Sequence, residues 1–205
     1  ATTYGFPIEL TQELAKEKGR QLDLNDFYTK MEAHQNLSRT ASAGMFKGGL
    51  ANHNEKTIRL HTAHHLMLSA LQEVLGKEVK QRGSNITEER LRFDFNFDRK
   101  VTREELDRAE VLVNQWIAED LPVSFKMYPT QEALDMGAIG PFGERYDEQV
   151  KVYQMGEGDH IVSLEICGGP HVDHTLQLFE GGKKFKILKE EASSAGVRRI
   201  KAVLV

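Results

Sequence analysis

The sequence predicts an α+β fold, with helices packed on a mainly antiparallel sheet and a small helical segment ahead of it. Three observations lead there. The stretch Arg90-Leu-Arg-Phe-Asp-Phe-Asn-Phe97 alternates polar and apolar residues without a fault, so Leu91, Phe93, Phe95 and Phe97 share one side of a strand. A helical period runs over 55–75 and stops at Gly76, the residue type that commonly ends a helix. Short apolar runs at 150–155, 161–166, 184–189 and 197–204 follow one another like hairpin strands, with helices interspersed elsewhere.

Taken in order, 8–18 and about 26–41 have helical periodicity, with Asp23 and Asn25 as turn or cap residues between them. The stretch from Ala43 to Asn54 holds three of the chain's 17 glycines and two asparagines, which cannot sustain a helix and read as a linker. The expected organisation is therefore a helical segment over 1–43, a Gly-rich linker over 44–54 and a main domain over 55–205. Within that domain, Thr102-Arg-Glu-Glu105 fits a capping box and opens a helix that Pro122 is expected to close. A short strand follows at 123–127, then a short helix over 130–136 ended by Gly137.

The 205 residues, 40% of them hydrophobic, suffice for one or two domains with a real core. No window approaches the roughly 20 apolar residues of a membrane span, and the start lacks a basic segment followed by an apolar one, so a cytoplasmic protein is expected. The missing initiator Met suggests a fragment or a processed chain. One cysteine makes no internal disulfide: Cys167 is a buried thiol, a metal ligand or a reactive thiol, in a reducing compartment. The net charge of −4 is unevenly spread. Residues 183–201 carry seven Lys/Arg against Glu190 and Glu191, a local +5, and residues 80–103 carry a local +3. This suits a basic face for an anionic partner, although solvated charge on strands and loops has the same look.

Two clusters carry chemistry. In His61-Thr-Ala-His-His65, a rotation of about 100° per residue puts His61 and His65 within about 40° of each other, away from the stripe of Leu66, Met67, Ala70, Leu71 and Val74. His64 falls off that face and reads as a helix-edge residue. In Cys167-Gly-Gly-Pro-His171, a glycine turn carries a thiol and an imidazole. His61, His65, Cys167 and His171 are ligand types that zinc prefers, and together they could close a tetrahedral shell around one ion. Thr62 stands where a zinc peptidase of the His-Glu-x-x-His kind has its general base, which disfavours peptidase chemistry.

These two motifs, supported by Gln81-Arg-Gly-Ser84, Arg90-Leu-Arg-Phe-Asp-Phe95 and Gly196-Val-Arg-Arg-Ile200, resemble the editing domain shared by alanyl- and threonyl-tRNA synthetases and free-standing trans-editing proteins. The resemblance covers 55–205. Thr3-Tyr-Gly-Phe-Pro-Ile-Glu-Leu-Thr11 resembles the junction where an alanyl-tRNA synthetase leaves its aminoacylation and tRNA-recognition region, which favours the alanyl branch and a piece of a larger, shortened ligase. Three features depart from the family pattern. Pro170 precedes the last histidine as in threonyl enzymes, His64 replaces a common Thr, and only the glycine linker occupies the place of the expected β-barrel.

The resemblance implies hydrolysis of serine or glycine mischarged onto tRNA(Ala), with His61, His65, Gln81, Cys167 and His171 as the active-site residues. It implies that His61, His65, Cys167 and His171 hold one zinc, and that Gln81 orients the seryl hydroxyl or the water. Four protein ligands would make the zinc structural or substrate-positioning; three plus water would make it the activator. Lys183, Lys184, Arg198 and Arg199 are candidates for gripping the acceptor end of the tRNA. Two alternatives are a non-catalytic zinc-stabilised tRNA-binding module and a threonyl-type editor of Ser-tRNA(Thr). No class II ATP-binding motif occurs, so no aminoacylation is expected of this chain alone.

Overall fold

The computed structural model describes residues 8–20, 23–25, 27–32, 49–140 and 146–205. The chain divides into two units, residues 1–44 and 45–205. In the first, helix α1 (Ile8–Glu17) matches the sequence period, and the Asp23 carboxylate accepts from the Asn25 amide at 2.9 Å in the expected turn. Residues 24–25 and 27–32 are helical; residue 26 and the stretch 33–41 of the second expected helix lie outside the described residues.

The second unit holds two antiparallel sheets. The first has the strand order β1 (Gln81–Ile86), β2 (Leu91–Asn96), β7 (Val197–Leu204), β6 (Phe185–Ser194), and the second runs β3 (Val123–Pro129), β4 (Gln149–Glu157), β5 (His160–Ile166). Its helices are α2 (Glu55–Leu75), α3 (Arg103–Ala118), the short α4 (Thr130–Asp135) and a 3-10 segment over Thr175–Gly182. The α+β expectation holds, with two sheets in place of one.

Helix α2 spans the residues its sequence predicts. The Asn54 side chain accepts from the Thr57 amide at 3.0 Å, and at the far end Gly76, with φ 126°, donates its N–H to the Gln72 carbonyl at 3.1 Å. Leu91, Phe93 and Phe95 are wholly buried, as their alternation requires, and meet Leu66, Met67 and Leu71 of α2 in one large core. A smaller cluster of Ala133, Val150, Val152 and Ile166 seals α4 to the second sheet.

Two local differences from the sequence reading have physical causes. Strand β1 is not expected from Gln-Arg-Gly-Ser-Asn-Ile, which lacks alternation; cross-strand pairing to β2 recruits it, with an irregularity at Gly83. Beside it, buried Leu50 bridges to Ile86, so residues 49–51 of the glycine-rich stretch run along the sheet. Helix α3 opens on the expected Thr102–Glu105 capping box but ends at Ala118, ahead of Pro122. There the Thr175 hydroxyl donates to the freed Trp116 carbonyl at 2.8 Å and accepts from the Leu121 amide at 2.8 Å, while Asp120 turns the chain with φ 53°.

Candidate metal centre

Helix α2 packs against β1 and β2 of the first sheet and against β5 of the second. Its histidine face is therefore buried like its apolar face: His61, His64 and His65 are 1%, 1% and 4% exposed. Strand β5 delivers Ser163 and Glu165 to that face and ends at Ile166, just before Cys167, and the turn after it carries His171. The ligand atoms of His61, His65, Cys167 and His171 all lie within 4.8 Å of one another.

Each imidazole of the four is fixed through Nδ1. The Nδ1–H of His61 donates to the Pro170 carbonyl at 3.0 Å, and that of His65 to the Glu165 carboxylate at 2.5 Å. Because the Thr62 hydroxyl donates to the Ile58 carbonyl, its oxygen accepts from His171 Nδ1–H at 3.2 Å and from the Val172 amide at 3.2 Å. That leaves the three Nε2 atoms for the interior. His61 Nε2 lies 3.3 Å from His65 Nε2 and 3.5 Å from Cys167 Sγ, and His171 Nε2 is buried with no hydrogen-bond partner. Bonds of about 2.0–2.3 Å to a tetrahedral zinc set its ligand atoms about 3.3–3.8 Å apart; the donor set suits the ion, the two shortest separations fall in that range, and the wider ones, up to 4.8 Å, would draw in on binding. A Cβ at Gly169 would collide with the His61 ring, so this turn needs glycine for its close approach rather than for pliability alone.

The thiol suits a metal as it stands, whereas His65 gives up a proton when it binds one. Burial opposes charge on Cys167, but His65 and His61 bring its thiol down to about 5; burial likewise opposes charge on His65, but Glu165 and Cys167 raise it to about 10. A thiolate at neutral pH is the form a metal takes. Burial, then the neighbouring histidines, hold His64 and His171 well below the usual imidazole range.

A cavity of about 410 Å³ opens beside the cluster, lined among others by His61, His65, Gln81, Lys151 and Cys167. Gln81 thus comes to the site from β1. His64 lines the same cavity, which corrects its reading as a helix-edge residue: β5 covers the face that a single apolar stripe leaves to solvent. Sequence reasoning also missed Glu165, whose strand reads as core, and Lys151, whose ammonium sits 4.0 Å above the exposed Phe125 ring. The basic candidates are not gathered at the cavity. Arg199 holds Asp94 through two bonds of 2.7 Å, and Arg198 holds Glu190 at 2.5 Å; Lys184 is exposed and Lys183 half-buried at the start of β6. No helix among the described residues is long and apolar enough to cross a membrane.

Comparison with known proteins points to tRNA synthetases. Residues 150–201 match the family model of the threonyl and alanyl tRNA synthetase second additional domain, and residues 1–101 match that of class II (A) tRNA synthetases. An alanine–tRNA ligase of Treponema denticola is 51% identical over 98% of this chain and 32% of its own length, and one of Treponema pallidum is 50% identical over the same shares. One of Bacillus velezensis is 47% identical over 71% of this chain and 16% of its own length. The chain spans about a third of the length of the Treponema relatives.

Proposed function

We propose that this chain, which belongs to the alanyl-tRNA synthetase family, is an editing part of such an enzyme, a deacylase that hydrolyses the ester joining serine or glycine to the 3′ adenosine of tRNA(Ala). The observation that carries the reading is the convergence of three anchored imidazoles and one thiolate at the wall of a cavity large enough for an aminoacyl group. His61, His65, Cys167 and His171 would hold one zinc, which supplies a Lewis acid beside the ester. Glu165, Pro170 and Thr62 keep the imidazoles in the tautomer that leaves Nε2 free. Gln81 orients the attacking water with its side-chain amide. Lys151 and the Phe125 ring offer a cation and a stacking face to the terminal nucleotide, and Lys183 and Lys184 contact the acceptor end more distantly. Residues 55–205 act as the editing domain, joined through 44–54 to a segment that ends the aminoacylation and tRNA-recognition region.

Turnover of Ser-tRNA(Ala) by the zinc-loaded chain tests the proposal, with His65→Ala and Cys167→Ala for comparison. Both variants should lose about 100-fold or more in rate while still folded. Hydrolysis no faster than without protein would end the deacylase reading. A donor set that closes zinc with four protein ligands also suits a structural ion, and unfolding of both variants on metal loss would favour the non-catalytic module. Preference for Ser-tRNA(Thr) would favour the threonyl-type editor.

A further inference from the structure

Both ring nitrogens of His64 are buried and have no hydrogen-bond partner. This is an unexplained polar cost, because a buried imidazole without partners forfeits the hydration of two polar atoms. The ring does not belong to the metal cluster: its centroid is 6.3 Å from that of His61, and it is not among the four residues whose ligand atoms converge. It stands edge-on to Phe93, with centroids 4.9 Å apart and planes at 79°. Leu68, one turn further along α2, continues the same cavity wall.

We propose that His64 reads the side-chain hydroxyl of the bound aminoacyl group, making it the residue that favours a seryl ester over a glycyl or alanyl one. This rests on the deacylase reading above. The metal cluster takes the reacting end of the ester, and Leu68 and the His64 imidazole, both on α2, belong to the cavity wall beside it. In every protonation state that imidazole carries at least one N–H, and a hydroxyl can both accept and donate. A seryl side chain would meet the ring's unpaired nitrogen once the ring turns toward the cavity it lines. A methyl or a hydrogen would leave it unpaired, and a site built to bond a hydroxyl rejects analogues lacking one far better than a site that excludes by size. The unsatisfied ring is then the resting state of a recognition element, completed only by the correct substrate.

The test compares kcat/KM for Ser-tRNA(Ala) and Gly-tRNA(Ala) in the zinc-loaded 205-residue chain and in His64→Phe, which keeps a ring of similar shape without polar atoms. The Ser-to-Gly ratio should fall tenfold or more, and His64→Gln should restore part of it. A smaller fall overturns the proposal, as would equal loss on both esters. If His64→Phe loses zinc or its cooperative melting, His64→Leu carries the same test. Calorimetric binding of the non-hydrolysable 3′-seryl and 3′-glycyl amides of adenosine separates this idea from the one beneath it. A seryl preference that collapses in His64→Phe supports the His64 assignment even where no hydrolysis occurs, and then only the deacylase reading fails. A seryl preference that survives the substitution, or is missing from the unmodified chain, overturns the assignment of His64.

Discussion

Glu165 shows how one carboxylate sets the character of the cluster. It accepts from His65 Nδ1 at 2.5 Å and from the Ser163 hydroxyl at 2.9 Å, so both of its oxygens are engaged and its position is fixed. Such a partner orients a ligating imidazole and raises its basicity. Glu165→Gln should therefore weaken zinc binding by about 10–100-fold, read by chelator competition, and lower the melting temperature of the chelated protein at neutral pH, because it also removes the buried partner of the His65 imidazolium. The ligands themselves were legible because His-x3-His and Cys-Gly-Gly-Pro-His bring rare residue types together at short range. Glu165 was not, since its contact to His65 spans 100 positions and its strand has the pattern of any core strand. His64 was legible as a histidine and misplaced at the helix edge, because a helical wheel shows which residues share a face and not what covers that face.

At the scale of elements, α3 starts on a reciprocal cap that the sequence displayed in full. Thr102 accepts from the Glu105 amide at 3.2 Å, and Glu105 accepts from the Thr102 amide at 2.8 Å and from Arg99 at 2.7 Å. The Arg99 hydrogen bond, aided by Thr102, holds the Glu105 carboxyl at about 2, below its ordinary 4.5. A depressed carboxyl contributes stability that is complete above pH 4.5 and is lost as the pH falls towards 2. Glu105→Gln should thus lower stability at pH 7, by about 1 kcal/mol in urea denaturation, and the gap to the parent should close between pH 4.5 and 2. The sheet carries a second lesson. Asp94 on β2 faces Arg199 on β7, and this partly buried pair uses charge that the sequence offered to tRNA. Arg199→Ala should cost about 2 kcal/mol of stability by stranding Asp94, with tRNA affinity in a salt titration little changed. A run of basic residues shows net charge, whereas free charge depends on cross-strand partners that only the register reveals. Strand β1 was illegible for a related reason, since its hydrogen bonds to β2 form it more than its own residues do.

For the whole molecule, residues 45–205 contain both sheets, both hydrophobic clusters and every member of the candidate site. A chain beginning at Gly49 should then bind one zinc and deacylate Ser-tRNA(Ala) within about twofold of the 205-residue chain. Loss of zinc binding on truncation would show that the first unit completes the site. The α+β class was readable because alternation, caps and glycine stops are local signals. The division into two sheets was not, because the apolar runs of β2 and β5 look alike and only tertiary pairing assigns them to different layers.

Helix α2 supplies Leu60, Leu66, Met67 and Leu71 to the core and His61, His64 and His65 to the cavity, and all seven are buried. Very few positions along it are free to drift. A substitution that repacks the core also moves an imidazole, so random mutagenesis of this helix should yield few variants that trade activity for robustness one without the other. The most interchangeable parts of the domain should instead be the outer strand β3 and the far half of β6, where side chains are largely exposed and an engineer could alter nucleic-acid contacts without disturbing the spine.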